Sequence, residues 1–457
     1  MLPELKTSIP GPKSRHLLER LKKVENQHIT FQSEEFPIVC SKASGCNVWD
    51  PDGNRFLDLT SFFGVSSLGH KNPVVMKAIK SQCDSHIHSM GDVHPTESKI
   101  RFLEMLQNIL PIGLSGTILS SSGAEAVESA IKTMLLHTRK PGLIAFSGGY
   151  HGLSMGALSS MDWNFFTHPF QSWRTSHTQF MPYPNCYRCP YDKSHSTCHL
   201  YCIEQLEQQI DHMTKKRIEL GGILLEPIQG RGGVIPLPEG YLKQLEHLCQ
   251  QHEILLLLDE IFTGFYRTGY WWACTKEGVV PDILCMGKSI ANGVPLSACC
   301  GKESVMQSWG KSTGEAIHTS TFLGNPLAMA AGCAVIEELH NLEDTIHSRG
   351  KDLQRLLLSI SEQADWIGDV RGSGMMWGIE CIDPVTDEAK PDGKRAQYIM
   401  QQCLKRGILV LTSSKMGQVL SLTPPFVIEP KEMEHAISVI FEVGNAYSKN
   451  GSPSSSL

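Results

Sequence analysis

Ile254-Leu255-Leu256-Leu257-Leu258-Asp259-Glu260 is an unbroken aliphatic run that ends in two acids. A continuous apolar run of strand length, without polar alternation, is the pattern of a parallel strand covered on both faces. Sheets of that kind bind ligands beyond the carboxyl ends of their strands, which places Asp259 at a binding edge. Further along, Pro281-Asp282-Ile283-Leu284-Cys285-Met286-Gly287-Lys288-Ser289 repeats the arrangement with a lysine beyond the apolar stretch. A lysine held away from water loses basicity, and a neutral amine condenses with an aldehyde. Alone, Asp259 reads equally as a helix N-cap and Lys288 as a solvated turn residue. Together they point to one site.

A lysine for an aldehyde and a carboxylate for a pyridine nitrogen are the pair that pyridoxal phosphate requires. A phosphate site is also present. Ser120-Ser121-Ser122-Gly123-Ala124-Glu125 lies between a short apolar strand at 117–119 and a helix whose apolar residues Val127, Ala130, Ile131, Met134 and Leu135 recur at helical spacing. Free N–H groups at Gly123 and Ala124, with the positive end of the helix dipole, suit a phosphate dianion. After the apolar run 143–146 comes Gly148-Gly149-Tyr150-His151-Gly152, a tight turn that offers the Tyr150 ring to the face of a cofactor.

These segments resemble the class III (ornithine and 4-aminobutyrate type) aminotransferases of the pyridoxal-phosphate fold type I superfamily. The resemblance runs from Gly11-Pro12-Lys13-Ser14 to Val439 in the family's order. It takes in Gly69-His70, Ser122-Gly123-Ala124-Glu125-Ala126, Tyr150-His151-Gly152, Glu226-Pro227-Ile228-Gln229-Gly230, Arg267-Thr268-Gly269, Gly287-Lys288, Thr321, Gly324-Asn325-Pro326 and Val370-Arg371-Gly372. It implies an α/β fold, with a mainly parallel central sheet in a large domain and an α+β small domain. The expected divisions are an N-terminal arm with part of the small domain at 1–68, the cofactor domain at 69–326, the rest of the small domain at 327–447 and a disordered tail at 448–457. It also implies that Lys288 carries the cofactor as a Schiff base, Asp259 pairs with the ring nitrogen, and Ser122, Gly123 and Ala124 hold the phosphate. Tyr150, His151, Glu226 and Ile261 line the ring. Thr321 reaches the phosphate of a neighbouring subunit, so a homodimer with shared sites, or a tetramer, is expected.

The chain departs from that pattern where relatives grip substrate carboxylates. An arginine expected two residues beyond His151 is replaced by Leu153, and a second, in the C-terminal domain, by Ser421. Neither leucine nor serine supplies a bidentate charged contact. Glu226, which pairs with the second arginine in relatives, is then expected to lack its partner, and to meet a substrate's amino group or Arg231. Phe62 and Phe63 line the substrate side in relatives. The expected reaction is transfer of an amino group from a primary amine, ω-amino compound or diamine to a keto acid, pyruvate or 2-oxoglutarate. An isomerase, epimerase or lyase on the same fold is the alternative.

Composition agrees. The 457 residues are 41% hydrophobic and 19% charged, with net charge −6, which leaves no evident basic face for nucleic acid or an anionic membrane. The start lacks the apolar segment of a signal peptide, and a cytoplasmic protein is expected. The 15 cysteines, scattered through strand-like segments, fit free thiols in a reducing compartment. Cys186, Cys189, Cys198 and Cys202, with His195 and His199, have spacing that zinc or an iron–sulfur cluster accepts. The second pair is C-x3-C without a strong apolar frame, and a metal-free insertion is expected.

Overall fold

The computed structural model describes residues 1–26, 29, 37–194, 196–386 and 389–450. His195 and residues 451–457 of the expected tail at 448–457 therefore lie outside the described residues; 448–450 continue the helix Pro430–Asn450. The chain forms two compact units, Pro73–Leu342 and Met1–Asn72 with Glu343–Leu457.

The Pro73–Leu342 unit is built on a seven-stranded sheet. Its order is Leu114–Ser120, Ser297–Lys302, Ile283–Met286, Leu255–Asp259, Leu220–Leu225, Gly142–Phe146 and Thr178–Met181. Every neighbouring pair is parallel except those made by Ser297–Lys302, which is antiparallel to both its neighbours. The aliphatic run is a strand with every residue buried, as are Gly142–Phe146 and Ile283–Met286. Burial of each such leucine stabilises the fold by about 2 kcal/mol. Because the long strands share one direction, the segments after Phe146, Leu225, Asp259 and Met286 all emerge at one edge. Ser120 and the start of Ser297–Lys302 meet there too, through the pairing Ser297↔Ser120.

The helix Gly123–Thr138 begins at this edge because of its cap. The Ser122 side chain accepts from the Glu125 N–H, and the Glu125 carboxylate reaches back to the N–H groups of Ser121 and Ser122. Val127, Ala130 and Met134 pack into the core that holds Leu224, Leu257, Ile283 and Cys299. Leu135, expected on the same stripe, is exposed.

The other unit carries two four-stranded sheets, ordered Lys42–Ser44, Asn47–Trp49, Arg55–Asp58, Ile408–Leu409 and Ile367–Ser373, Met376–Cys381, Val419–Leu422, Leu411–Ser413. Its first three strands form two antiparallel turns, one at Gly45–Cys46 and one around Asp52. A long helix runs from Pro326 to Ser361.

Candidate active site

Lys288 follows the strand Ile283–Met286, partly buried, with its Nζ 3.7 Å from the Phe262 ring centroid. Desolvation lowers its pKa from the ordinary lysine value to about 8. Glu226 and Asp259 act to raise it, and the positive charges of Arg267 and Arg231 lower it further. The lysine itself has φ +43, a left-handed backbone that a non-glycine residue adopts only when its surroundings enforce it. The sequence expectation of a weakened amine at this position matches this environment.

Asp259 ends the neighbouring strand and is buried. Its Oδ1 accepts the Ile261 N–H at 3.0 Å and its Oδ2 lies 2.8 Å from His151 Nδ1. A carboxylate only accepts, so Nδ1 carries the hydrogen. Burial disfavours the charged imidazole and is the largest influence, but the hydrogen bond and charge of Asp259, with the charge of Glu226, together outweigh it and the His151 pKa is raised. His151 Nε2 is buried without a partner.

Glu226 follows the strand Leu220–Leu225 and differs from its expectation. It is buried, neither solvated nor short of partners: Oε1 accepts the Tyr150 N–H at 2.9 Å and Oε2 the Gly230 N–H at 3.0 Å. Burial raises its pKa, against the pull of His151. Two main-chain donors stand where a charged partner was expected, and the carboxylate ties the turn containing Tyr150 to the loop containing Arg231. No ion pair joins Glu226 to Arg231. The Arg231 guanidinium instead lies 5.0 Å from the Tyr150 ring, 5.0 Å from Phe166 and 5.8 Å from Trp163.

At the start of the helix Gly123–Thr138, the N–H groups of Gly123 and Ala124 have no acceptor among the described residues. Ile261 packs on Gly123, where a Cβ would meet its Cδ1 at 2.9 Å. Ser297 Oγ donates to the Ser122 carbonyl at 2.6 Å. Gly152, at φ +119, has no room for a side chain either, since a Cβ would lie 2.5 Å from that of Ala124. Gly152→Ala is therefore expected to strain the backbone and push the helix start aside, costing about 2 kcal/mol or more. Denaturant unfolding of the apoprotein, with cofactor titration of the same variant, checks this; unchanged stability and affinity would remove Gly152 from the cradle.

Lys288, Asp259, His151, Glu226, Tyr150, Ile261, Ser122, Gly123 and Ala124 thus belong to one edge of one sheet. Leu153, next to that turn, is 50% exposed. Thr321 is exposed in the same unit. Phe62, Phe63 and Ser421 belong to the other unit. There Ser61, Phe62 and Phe63 have φ of +45, +47 and +64, a strained turn held by Ser61 Oγ donating to the Thr423 carbonyl at 2.7 Å. Phe62 sets its ring 4.6 Å from His70, and Phe63 is 68% exposed. Ser421 sits in Val419–Leu422, opposite Gly378 and Leu411. Phe262, Ser297, Trp163 and Phe166 were not singled out in the sequence.

Cys186, Cys189, Cys198 and Cys202 form no disulfide and line one cavity with Tyr191, Tyr201 and Pro238. Among the described residues, no three His, Cys, Asp or Glu side chains form a group that could hold a metal ion.

The donor set fits pyridoxal phosphate: a weakened amine for its aldehyde, a buried carboxylate with unused lone pairs for its ring nitrogen, and unpaired N–H groups at a helix start for its phosphate. The family model for class III aminotransferases matches residues 29–443. A 4-aminobutyrate aminotransferase of Mycobacterium leprae is 32% identical, covering 96% of this chain and 97% of its own. An alanine/serine racemase of Pyrococcus horikoshii is 32% identical, over 96% and 92%. The solved amine transaminase of an uncultivated Pseudomonas species, in its pyridoxal-phosphate-bound form, superposes with a TM-score of 0.84 at 27% identity, over 93% of this chain and 98% of that one. The chain belongs to the class III aminotransferase family, the pyridoxal-phosphate-dependent enzymes of fold type I.

Proposed function

We propose that this enzyme takes an amino group from a primary amine, an ω-amino compound or a diamine and passes it to a keto acid such as pyruvate or 2-oxoglutarate. The observation that carries the reading is Leu153. It is fixed one residue beyond the His151–Gly152 turn that Asp259 anchors, and presents an exposed apolar side chain at the position where relatives carry an arginine that grips a substrate carboxylate. Relatives named for 4-aminobutyrate and diaminobutyrate support a reactive nitrogen remote from a carboxylate.

When bound, pyridoxal phosphate supplies an aldehyde for the substrate nitrogen and a protonated ring that accepts the electron pair released at the substrate carbon. The Lys288 amine, once free, takes the proton from that carbon as general base and returns it as general acid. Asp259 keeps a negative charge at the buried end of the site, and His151 fixes its orientation. Gly123 and Ala124 bind the phosphate with their N–H groups, and Tyr150 borders the ring. Ile261 closes the floor against Gly123. Glu226 holds the Tyr150 and Gly230 main chains and thereby sets the mouth of the site.

A homodimer with shared sites is part of this reading. Thr321 stands among exposed apolar side chains, Ile87, Met90, Val93, Ile317 and Phe322, and Phe322 packs 5.6 Å from His88; a second copy covering that surface would bring Thr321 to its partner's phosphate. The cysteines, none of them in a disulfide, favour a reducing, cytoplasmic setting, and no helix among the described residues is long and apolar enough to cross a membrane.

The test follows the visible absorbance of cofactor-loaded protein while donors are added singly without a keto acid. Primary amines and diamines are expected to convert the band, α-amino acids not. Ready conversion by α-amino acids overturns the donor reading. The relationship to the alanine/serine racemase supports a second reading, and inversion of an amino acid without any acceptor is the result that would favour it.

A further inference from the structure

We infer that Arg231 is the anion grip of this site and binds the carboxylate of the keto-acid acceptor. The inference rests on the donor reading above, since a primary amine has no carboxylate and its acceptor has one.

Arg231 sits in a short loop whose base is fixed at several points. The strands Ile228–Gln229 and Ile235–Pro236 pair antiparallel, the Gly230 N–H donates to Glu226, and Gln229 Nε2 donates to the Ser147 carbonyl at 3.0 Å. Gly232 admits no side chain because a Cβ would collide with Gln229. From this base the guanidinium is walled by Tyr150, Phe166 and Trp163, and Trp163 is itself fixed by Nε1 donating to the Gly149 carbonyl at 2.9 Å. Ring contacts use the π-face of a guanidinium and leave its in-plane N–H donors available. Those donors have no protein acceptor among the described residues: Arg231 makes no ion pair and no hydrogen bond, although Glu226 is nearby with both oxygens engaged.

A cation caged by rings and not neutralised is what a carboxylate needs. The fork geometry accepts it bidentately, and the cage has already restricted the side chain, which lowers the entropic cost of binding. Two positive charges reach Lys288, those of Arg267 and Arg231. Arg267 is fully buried, so only Arg231 of the two is open to an entering anion. Leu153 on the turn beyond Tyr150 is apolar, so one site offers an uncharged surface to the amine and a cation to the acid.

The test uses the holoenzyme, with glutarate as a dicarboxylate that cannot react. In Arg231→Gln, glutarate affinity is expected to fall on the order of 30-fold, the equivalent of one charge-assisted bidentate contact. The kcat/KM of the keto-acid half-reaction should fall by a similar factor, at least about tenfold beyond any fall in the amine half-reaction. Arg231→Lys, with the charge but not the fork, should lie between. Equal falls in both half-reactions would make Arg231 a brace of its loop and overturn the inference, as would unchanged glutarate binding. If amines fail to convert the wild-type enzyme while glutarate binding still depends on Arg231, the donor reading fails and the grip stands.

Discussion

Lys288→Ala is expected to abolish turnover, lowering kcat by at least about 10⁴-fold, because one side chain both holds the cofactor and moves the proton. The environment of the amine sets this effect. Its Nζ lies over Phe262, desolvation weakens its affinity for a proton, and its pKa is lowered to about 8. At pH 7 roughly a tenth of such amines are neutral, about 300-fold more than for an ordinary lysine. The direction in pH follows: the neutral fraction grows as pH rises through about 8 and is nearly complete by about 9 to 10. Cofactor uptake by the apoprotein should therefore rise with pH around 8 and level off, and stopped-flow absorbance from pH 6 to 10 measures it. A rate still climbing above pH 10 would show an unperturbed lysine. In Lys288→Ala the uptake signal should lose its covalent component while phosphate-anchored binding persists. Wild-type turnover in that variant would sink the assignment.

The parts of this site that were legible in the sequence are those carried by side chains on regular elements. The run Ile254–Leu258 announces a covered strand because burial on both faces removes polar alternation, and that places Asp259. The capping pattern Ser122 to Glu125 announces the helix whose free N–H groups suit a phosphate. What was not legible is carried by main chain or by contacts distant in sequence. Glu226 was expected to lack a partner because only side chains were considered; its partners are the N–H groups of Tyr150 and Gly230, and a backbone donor has no sequence signature. Trp163 and Phe166 belong to no motif, and only the fold turns them toward Arg231. The left-handed turn at Ser61–Phe63 was equally hidden, since its one glycine, Gly64, stands at its end and the three residues before it take positive φ without one, under tertiary hydrogen bonds.

Asp259→Asn is expected to lower kcat by about 10³-fold while leaving the cofactor attached, which separates it from the loss of Lys288. The two residues have nearly the same shape, so the effect isolates charge and donor pattern. Asp259 accepts from Ile261 N–H through Oδ1 and from His151 Nδ1 through Oδ2. An asparagine can satisfy one of these with its oxygen, but its NH₂ then faces the other donor, and either His151 changes tautomer or a buried hydrogen bond is lost. The negative charge that would keep the cofactor's ring nitrogen protonated disappears in both cases. His151 reports the change independently of turnover. Its pKa is raised because the hydrogen bond and charge of Asp259, with the charge of Glu226, together outweigh burial; with a neutral partner at 259 most of that opposition is lost and the pKa should fall, which NMR titration of the imidazole detects. A variant that keeps wild-type kcat would remove Asp259 from the chemistry. One that loses kcat with the His151 titration unmoved would show that the carboxylate acts on the cofactor alone, without orientation by the histidine.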